Sequence, residues 1–131
     1  MNVFSRLLLH LRRSSLRKQF MKDRTVLEQQ FRDQLVAQTT DKRQWLDIEW
    51  ITEPVLHVHP DIQELPVAMI GVTVVYQLSD NEEWSQPATQ AGTAIFYFQQ
   101  AQWQTSGKLL LNLTPSEALN QLELKSISAP A

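Results

Sequence analysis

The sequence predicts an α+β fold: an N-terminal helix packed on one face of a curved antiparallel sheet of four to five strands, then a short C-terminal helix. Three observations support this prediction. Apolar residues recur every fourth position after about residue 20, they alternate with polar residues from about residue 45, and a helix-capping motif follows the last alternating segment. A chain of 131 residues can bury one core without disulfide bonds.

The N-terminal helix is predicted over about residues 22–38. Its apolar side chains form one narrow stripe, which is typical of a helix that lies across a sheet: Phe20, Leu27, Phe31 and Leu35. The helix is expected to end at Thr39 and Thr40, because these β-branched residues and the following Asp41 favour a turn.

The strands are predicted from the alternation of apolar and polar side chains. Val67–Leu78 is the strongest of them, and apolar residues on both of its faces indicate that part of it is covered on two sides. Gly71 is expected to mark a bend or bulge, and Ser79–Gly92 is expected to be the longest irregular loop. The other predicted strands are Trp45–Ile51, the edge piece Val55–His59, Thr93–Gln99 and Lys108–Leu113.

A capping box predicts where the C-terminal helix begins. Thr114 is its N-cap residue, Pro115 takes the first helical position and Glu117 the third, so we expect a helix over Pro115–Leu122. In outline, the pattern over Val67–Leu113 resembles the cones of cystatin-like and nuclear-transport-factor-like proteins, whose final strands also form long aromatic hairpins. This resemblance implies a fold and no particular site.

The charged residues divide the chain into a basic N-terminal segment, residues 1–20, and a single α+β domain, residues 21–131. The segment contains no acidic residue and five basic ones: Arg6, Arg12, Arg13, Arg17 and Lys18. The remaining residues carry 7 basic and 14 acidic groups, a net charge of −7. Because an acidic body repels phosphate, we expect no nucleic-acid partner.

The basic segment is amphipathic, and several roles stay open for it. On a helix its apolar side chains share one face, which suits an anionic membrane surface or a protein partner: Phe4, Leu7, Leu8 and Leu11. Its composition is also typical of an organelle transit peptide. Its longest apolar run, Leu7–Leu9, is too short to span a bilayer. The remaining alternatives are a frayed terminus and a translation start at Met21.

The sequence contains no cysteine, which excludes a disulfide framework, thiol catalysis and cysteine-based metal sites. With only 3 glycines, a glycine-rich phosphate loop is not expected either. We expect no cofactor and a location in the cytoplasm or another reducing intracellular compartment, with peripheral membrane association or organelle import as alternatives.

Two histidines are candidate metal ligands. In an extended segment, residues two apart point the same way, so His57 and His59 face one side of the chain. A catalytic metal needs about three protein ligands, and the carboxylates that are near in sequence are Glu53, Asp61 and Glu64. The alternative is a pair of half-exposed histidines on a proline-rich edge.

Other polar and aromatic residues are weaker candidates. The carboxylate pair Asp47 and Glu49 and the pair Glu82 and Glu83 are interpreted as hydrated surface charge. Trp84 lies in an acidic segment, where it can anchor a partner or cap a ligand cleft. The alternative is that the Trp84 side chain folds back over the sheet edge and has a structural role.

Together these patterns favour a non-catalytic interaction or assembly module, which docks a protein partner or a small hydrophobic ligand and is positioned by its basic segment. The candidate binding residues are Arg6, Arg12, Arg13, Arg17, Lys18 and Trp84. The alternative is a small metal-dependent or acid–base enzyme that uses His57 and His59. The sequence contains no nucleophile elbow, phosphate loop or metalloprotease motif.

Overall fold

A long helix occupies the concave side of a strongly curled antiparallel sheet, which confirms the predicted α+β architecture. The computed structural model describes residues 3–39, 42–59, 64–80 and 83–128. The two helices are α1 (Val3–Ala37) and α2 (Pro115–Ser128). The strands are β1 (Arg43–Trp50), β2 (Val55–His57), β3 (Val67–Asp80), β4 (Glu83–Trp84), β5 (Ala88–Gln99), β6 (Gln102–Gln104) and β7 (Leu109–Leu111).

The strands form an antiparallel meander of four strand lines, which are β1 with β2, β3 alone, β4 with β5, and β6 with β7. β1 and then β2 lie along one edge of β3, and β4 and then β5 lie along its other edge. β6 and β7 lie along the outer edge of β5. The β3–β5 pair runs from Val67 opposite Tyr97 to Tyr76 opposite Ala88. This central ladder provides the surface on which α1 packs.

Extra residues in the two outer lines curl the sheet. Residues 51–54 stand between β1 and β2 opposite Gly71, whose N–H donates a hydrogen bond to Thr52 Oγ1 at 2.8 Å. Residues 105–108 stand between β6 and β7 in the same way. Such insertions bend a strand and increase its twist. The bend predicted at Gly71 is therefore present, with the extra residues on the neighbouring line.

The main core lies between α1 and the concave face of the sheet. At its centre, the Phe20 ring contacts the rings of Phe96 and Trp103 edge-on, with centroids 5.2 Å apart in both pairs. Phe31 continues this aromatic packing to Trp50, at 5.6 Å. The helix side chains thus fill the concavity of the curled sheet.

The convex face carries a second, smaller core. Met69 of β3 and Ile95 of β5 are buried there against Ala118 of α2. The two helices therefore lie on opposite faces of the sheet. This confirms the prediction that part of β3 is covered on both sides.

The predicted capping box holds the start of α2. The Thr114 N–H donates a hydrogen bond to Glu117 Oε1 at 3.1 Å, and the Glu117 N–H donates to Thr114 Oγ1 at 3.2 Å. The hydrogen bond from the Thr114 backbone and a side-chain hydrogen bond with Thr114 lower the pKa of the Glu117 carboxyl below its ordinary value of 4.5. The helix continues to Ser128, beyond the predicted end at Leu122.

The N-terminal helix begins at Val3, about twenty residues before the predicted start. Leu16 and Phe20 lie within the sequence-defined basic segment, yet they are only 6% and 0% exposed and belong to the core. They face the sheet together with Leu27, because these positions recur on one side of a helix. Leu16 stands alone among arginines and serines, so the sequence pattern did not reveal its burial.

The irregular loop predicted over Ser79–Gly92 is wrong for most of its length. β3 continues to Asp80, β4 pairs with it antiparallel so that Trp84 lies opposite Ser79, and β5 starts at Ala88. The residues of this hairpin are mostly polar and exposed, so they show no alternating apolar face from which strands are predicted.

Candidate docking surface

The first part of α1 presents an apolar stripe that points away from the rest of the protein. We call residues 3–15 the arm and the other described residues the body. Five side chains form the outer stripe of the arm, at least half exposed: Val3 82%, Phe4 67%, Leu7 53%, Leu8 51% and Leu11 56%. Because each residue turns a helix by about 100°, this stripe lies opposite the core-facing line of Leu9, Leu16 and Phe20. The outer stripe is therefore not needed to complete the core.

The basic residues of the segment are spread around the helix: Lys18 lies on the line of the stripe, Arg12 lies beside it, and Arg6, Arg13 and Arg17 lie away from it. Four of them are at the surface, exposed or half-buried: Arg6, Arg12, Arg13 and Lys18. Arg17 is engaged with the body, since its guanidinium donates a hydrogen bond to the Pro54 carbonyl at 2.8 Å and lies 3.8 Å from the Glu53 carboxylate. Within the described ranges, Arg17 is the one of the five that forms an ion pair. The other four charges remain at the surface, three of them on the arm and Lys18 just beyond it.

Hydrogen bonds with β6 and with the turn that joins β5 and β6 fix the root of the arm. Trp103 Nε1 donates to the Leu16 carbonyl at 3.0 Å, and this hydrogen bond is buried. Gln19 Nε2 donates to the Ala101 carbonyl at 3.2 Å. The arm thus leaves the body in a defined direction, as a continuation of a core helix.

Trp84 lies at the other end of the body. It pairs with Ser79 near the end of β3, whereas the root of the arm contacts the β5–β6 turn near the start of β3. The 14 residues of β3 extend for about 45 Å along the strand. Trp84 is 48% exposed, and the structure does not bring it into one site with the five basic residues.

The two candidate metal ligands are neighbours but gather no third ligand in the described residues. The ring centroids of His57 and His59 are 6.3 Å apart, and His59 Nδ1 lies 4.0 Å from Glu64 Oε2. In the part of the chain that is described, no three His, Cys, Asp or Glu side chains are placed to hold a metal ion. Asp61, another carboxylate near in sequence, lies outside the described residues.

The surface also has shallow depressions, which the arm does not line. One of about 460 Å³ lies at the C-terminal end of α1, beside Arg43 and Lys108. Another of about 410 Å³ lies on the convex face, beside Gly71 and the start of α2. The exposed Asp47 and Glu49 side chains belong to the surface of β1, as predicted.

The fold and this surface define an α+β helix-on-sheet domain whose first helix continues as a basic arm with an outer apolar stripe. No family model, curated protein or solved structure matches the chain. Among the described residues, neither helix has the length and apolar character needed to cross a bilayer.

Proposed function

We propose that the protein is a non-catalytic docking module, which attaches its body to a larger surface through the outer stripe of the arm. The observation that carries this proposal is the direction of the stripe. Leu7 and Leu11 point away from the core, and each is more than half exposed. Single exposed apolar side chains are ordinary, but five of them on one helix face make a patch of the kind that marks interaction sites.

The arm is suited to docking because it is already ordered. It continues a helix whose next residues, Leu16 and Phe20, are buried in the core. The hydrogen bond from Trp103 to the Leu16 carbonyl holds the root of the arm. A preorganised surface loses less conformational entropy on binding than a disordered tail does.

An extended surface fits the arm better than a small hydrophobic ligand. Small-molecule sites are concave, whereas the outer stripe lies on the convex side of a helix. Phe20 and Phe31 also fill the concavity of the sheet, so the concave face is occupied by the protein's own helix. Among the described residues, no three His, Cys, Asp or Glu side chains are placed to hold a metal ion, so no observation there favours the alternative of an enzyme at His57 and His59.

Cell fractionation of the full chain tests the proposal. The stripe variant carries Leu7→Ser and Leu11→Ser. Its matched control carries Val26→Ser and Val36→Ser, two side chains that are 59% and 53% exposed on the same helix outside the arm. We expect the parent protein and the control to sediment with a larger cellular structure, and the stripe variant to be released. A stripe variant that distributes like the parent protein, with an unchanged thermal unfolding midpoint, would contradict docking through the arm.

A further inference from the structure

We infer that the surface bound by the arm is an anionic lipid bilayer, with the arm among the headgroups and α1 tilted so that its N-terminal end lies deepest. This inference rests on the proposed docking function and names its partner. It follows from the charge of the basic segment, from the positions of Arg12 and Lys18 beside and in line with the stripe, and from the polarity of α1 beyond the arm.

The charge distribution favours an anionic surface. Residues 1–20 contain five basic groups and no acidic group, whereas the rest of the chain has a net charge of −7. Basic residues next to a membrane are attracted by its anionic lipids, and an acidic body is repelled by the same lipids. The two effects together orient the protein with the arm toward the bilayer and the body away from it.

The geometry of the arm matches a helix that lies in a membrane interface. The outer stripe runs from Val3 to Leu11, over about 12 Å of helix axis. Lys18 continues the line of the stripe toward the body and Arg12 lies beside the stripe, whereas Arg6 and Arg13 lie on the other half of the helix. Long basic side chains such as Arg12 and Lys18 reach the headgroups while the apolar side chains of the stripe enter the acyl boundary.

Insertion is expected to stop where the arm ends. Beyond Lys18, the outer face of α1 carries polar and charged side chains, including Lys22, Gln29 and Asp33. Val26 and Val36 are exposed on this part of the helix, but they stand among those polar residues. The apolar contact with a bilayer is therefore confined to the arm.

A second copy of the chain fits the stripe less well. Pairing two outer stripes face to face would bring two sets of basic side chains together, among them Arg12 and Lys18 of each copy. Like charges at an interface oppose association. A homodimer is therefore an outcome that the experiment must distinguish, as is an acidic protein partner.

Flotation of the purified full chain with vesicles tests the inference. One set of vesicles contains phosphatidylcholine alone, and the other contains phosphatidylcholine with about 30% phosphatidylserine, a stand-in for an anionic leaflet. We expect binding to the second set, weak binding to the first, and loss of binding at high salt, because exposed charges are screened within a short distance. Equal binding to both sets would overturn the inference.

Two pairs of variants separate charge from apolar contact. Arg12→Gln with Lys18→Gln should weaken binding about 25-fold, from roughly a fivefold loss for each basic residue near the surface. Lys42→Gln with Lys108→Gln makes the same change in net charge at exposed positions near the other end of α1, and it should change binding less than about twofold. If both double variants weaken binding equally, net charge rather than the arm is responsible and the inference is wrong.

The stripe variant Leu7→Ser with Leu11→Ser should not float, whereas its control Val26→Ser with Val36→Ser should bind like the parent protein. If the parent protein binds no vesicles while the stripe variant is still released in cell fractionation, the inference fails and the proposed docking function stands, with a protein as partner. A dimer in sedimentation equilibrium that Leu7→Ser with Leu11→Ser dissociates would equally overturn the lipid assignment. If neither assay responds to the stripe, both proposals fail.

Discussion

Replacing Phe20 by alanine tests whether the N-terminal basic segment is divided between core and surface. Phe20 is 0% exposed, and its ring lies 5.2 Å from the rings of both Phe96 and Trp103. Truncation of a buried phenylalanine to alanine costs about 3–5 kcal/mol of unfolding free energy, since it removes buried area and leaves a cavity. With an unfolding entropy of about 2.1 cal/mol/K per residue, the unfolding midpoint should fall by about 11–18 °C.

The matched change is Leu7→Ala, which alters an exposed side chain of the same helix. It should shift the unfolding free energy by no more than about 0.5 kcal/mol, because the side chain makes few contacts with the body. Urea unfolding followed by tryptophan fluorescence and by circular dichroism measures both variants. A loss below about 1 kcal/mol for Phe20→Ala would refute the placement of Phe20 in the core. An equal loss for Leu7→Ala would refute the exposure of the outer stripe.

Three further predictions concern the turns and the second helix. At Gly107, φ is 78° and an added Cβ would lie 2.7 Å from the backbone of α1. Gly107→Ala should therefore lower the free energy of unfolding, measured in urea, by about 1–3 kcal/mol. An unchanged urea midpoint would contradict this close approach. Gln100 and Ala101 have positive φ angles of 55° and 61°, which Asn and Gly adopt more readily in a two-residue hairpin turn. Gln100→Asn with Ala101→Gly should therefore raise the free energy of unfolding by about 1 kcal/mol. A lower free energy of unfolding would argue against this turn. The pKa of Glu117 measured by NMR titration should lie below 4.5 and should move back toward 4.5 in Thr114→Ala. Because the folded-state pKa is lowered, the stabilisation is present above pH 4.5 and is lost as the pH falls through the folded-state pKa. An unshifted pKa in the parent protein would disprove the capping contact.

The central strands and the second helix could be predicted because their signals are local. Alternation over Val67–Leu78 marked β3, and the capping box at Thr114 marked the start of α2. Apolar residues on both faces of β3 also predicted its cover on two sides, which α2 provides through Ala118. Each of these features depends on neighbouring residues in the sequence.

Features that depend on tertiary packing were missed. Trp45 faces the core, close to Tyr76, because a bulge in β1 shifts the register between Trp45 and Asp47. Alternation that continues through the strand would place Trp45 on the opposite face from Ile48, so the sequence cannot reveal this shift. The β3–β4 hairpin was missed for a similar reason, since its exposed polar residues are stabilised by pairing rather than by burial.

The sequence predicted which residues form the candidate docking surface, but it did not predict which way that surface points. The sequence identified the five basic residues and the shared helix face of Phe4, Leu7, Leu8 and Leu11. It could not show that this face points away from the sheet, because that direction is set by the burial of Leu16 and by the hydrogen bond that its carbonyl accepts from Trp103. Such contacts join residues that are far apart in the chain.

The most direct measurement of the central claim uses the absence of native cysteine, which allows one reporter at a chosen position. Leu11→Cys in the arm and Val36→Cys near the end of α1 are each labelled with a fluorophore that reports the polarity of its surroundings. On adding phosphatidylserine-containing vesicles, the label at position 11 should shift to the blue and become accessible to lipid-borne quenchers, while the label at position 36 should not change. A response at position 36 equal to that at position 11, or no response at position 11, would contradict docking through the outer stripe of the arm.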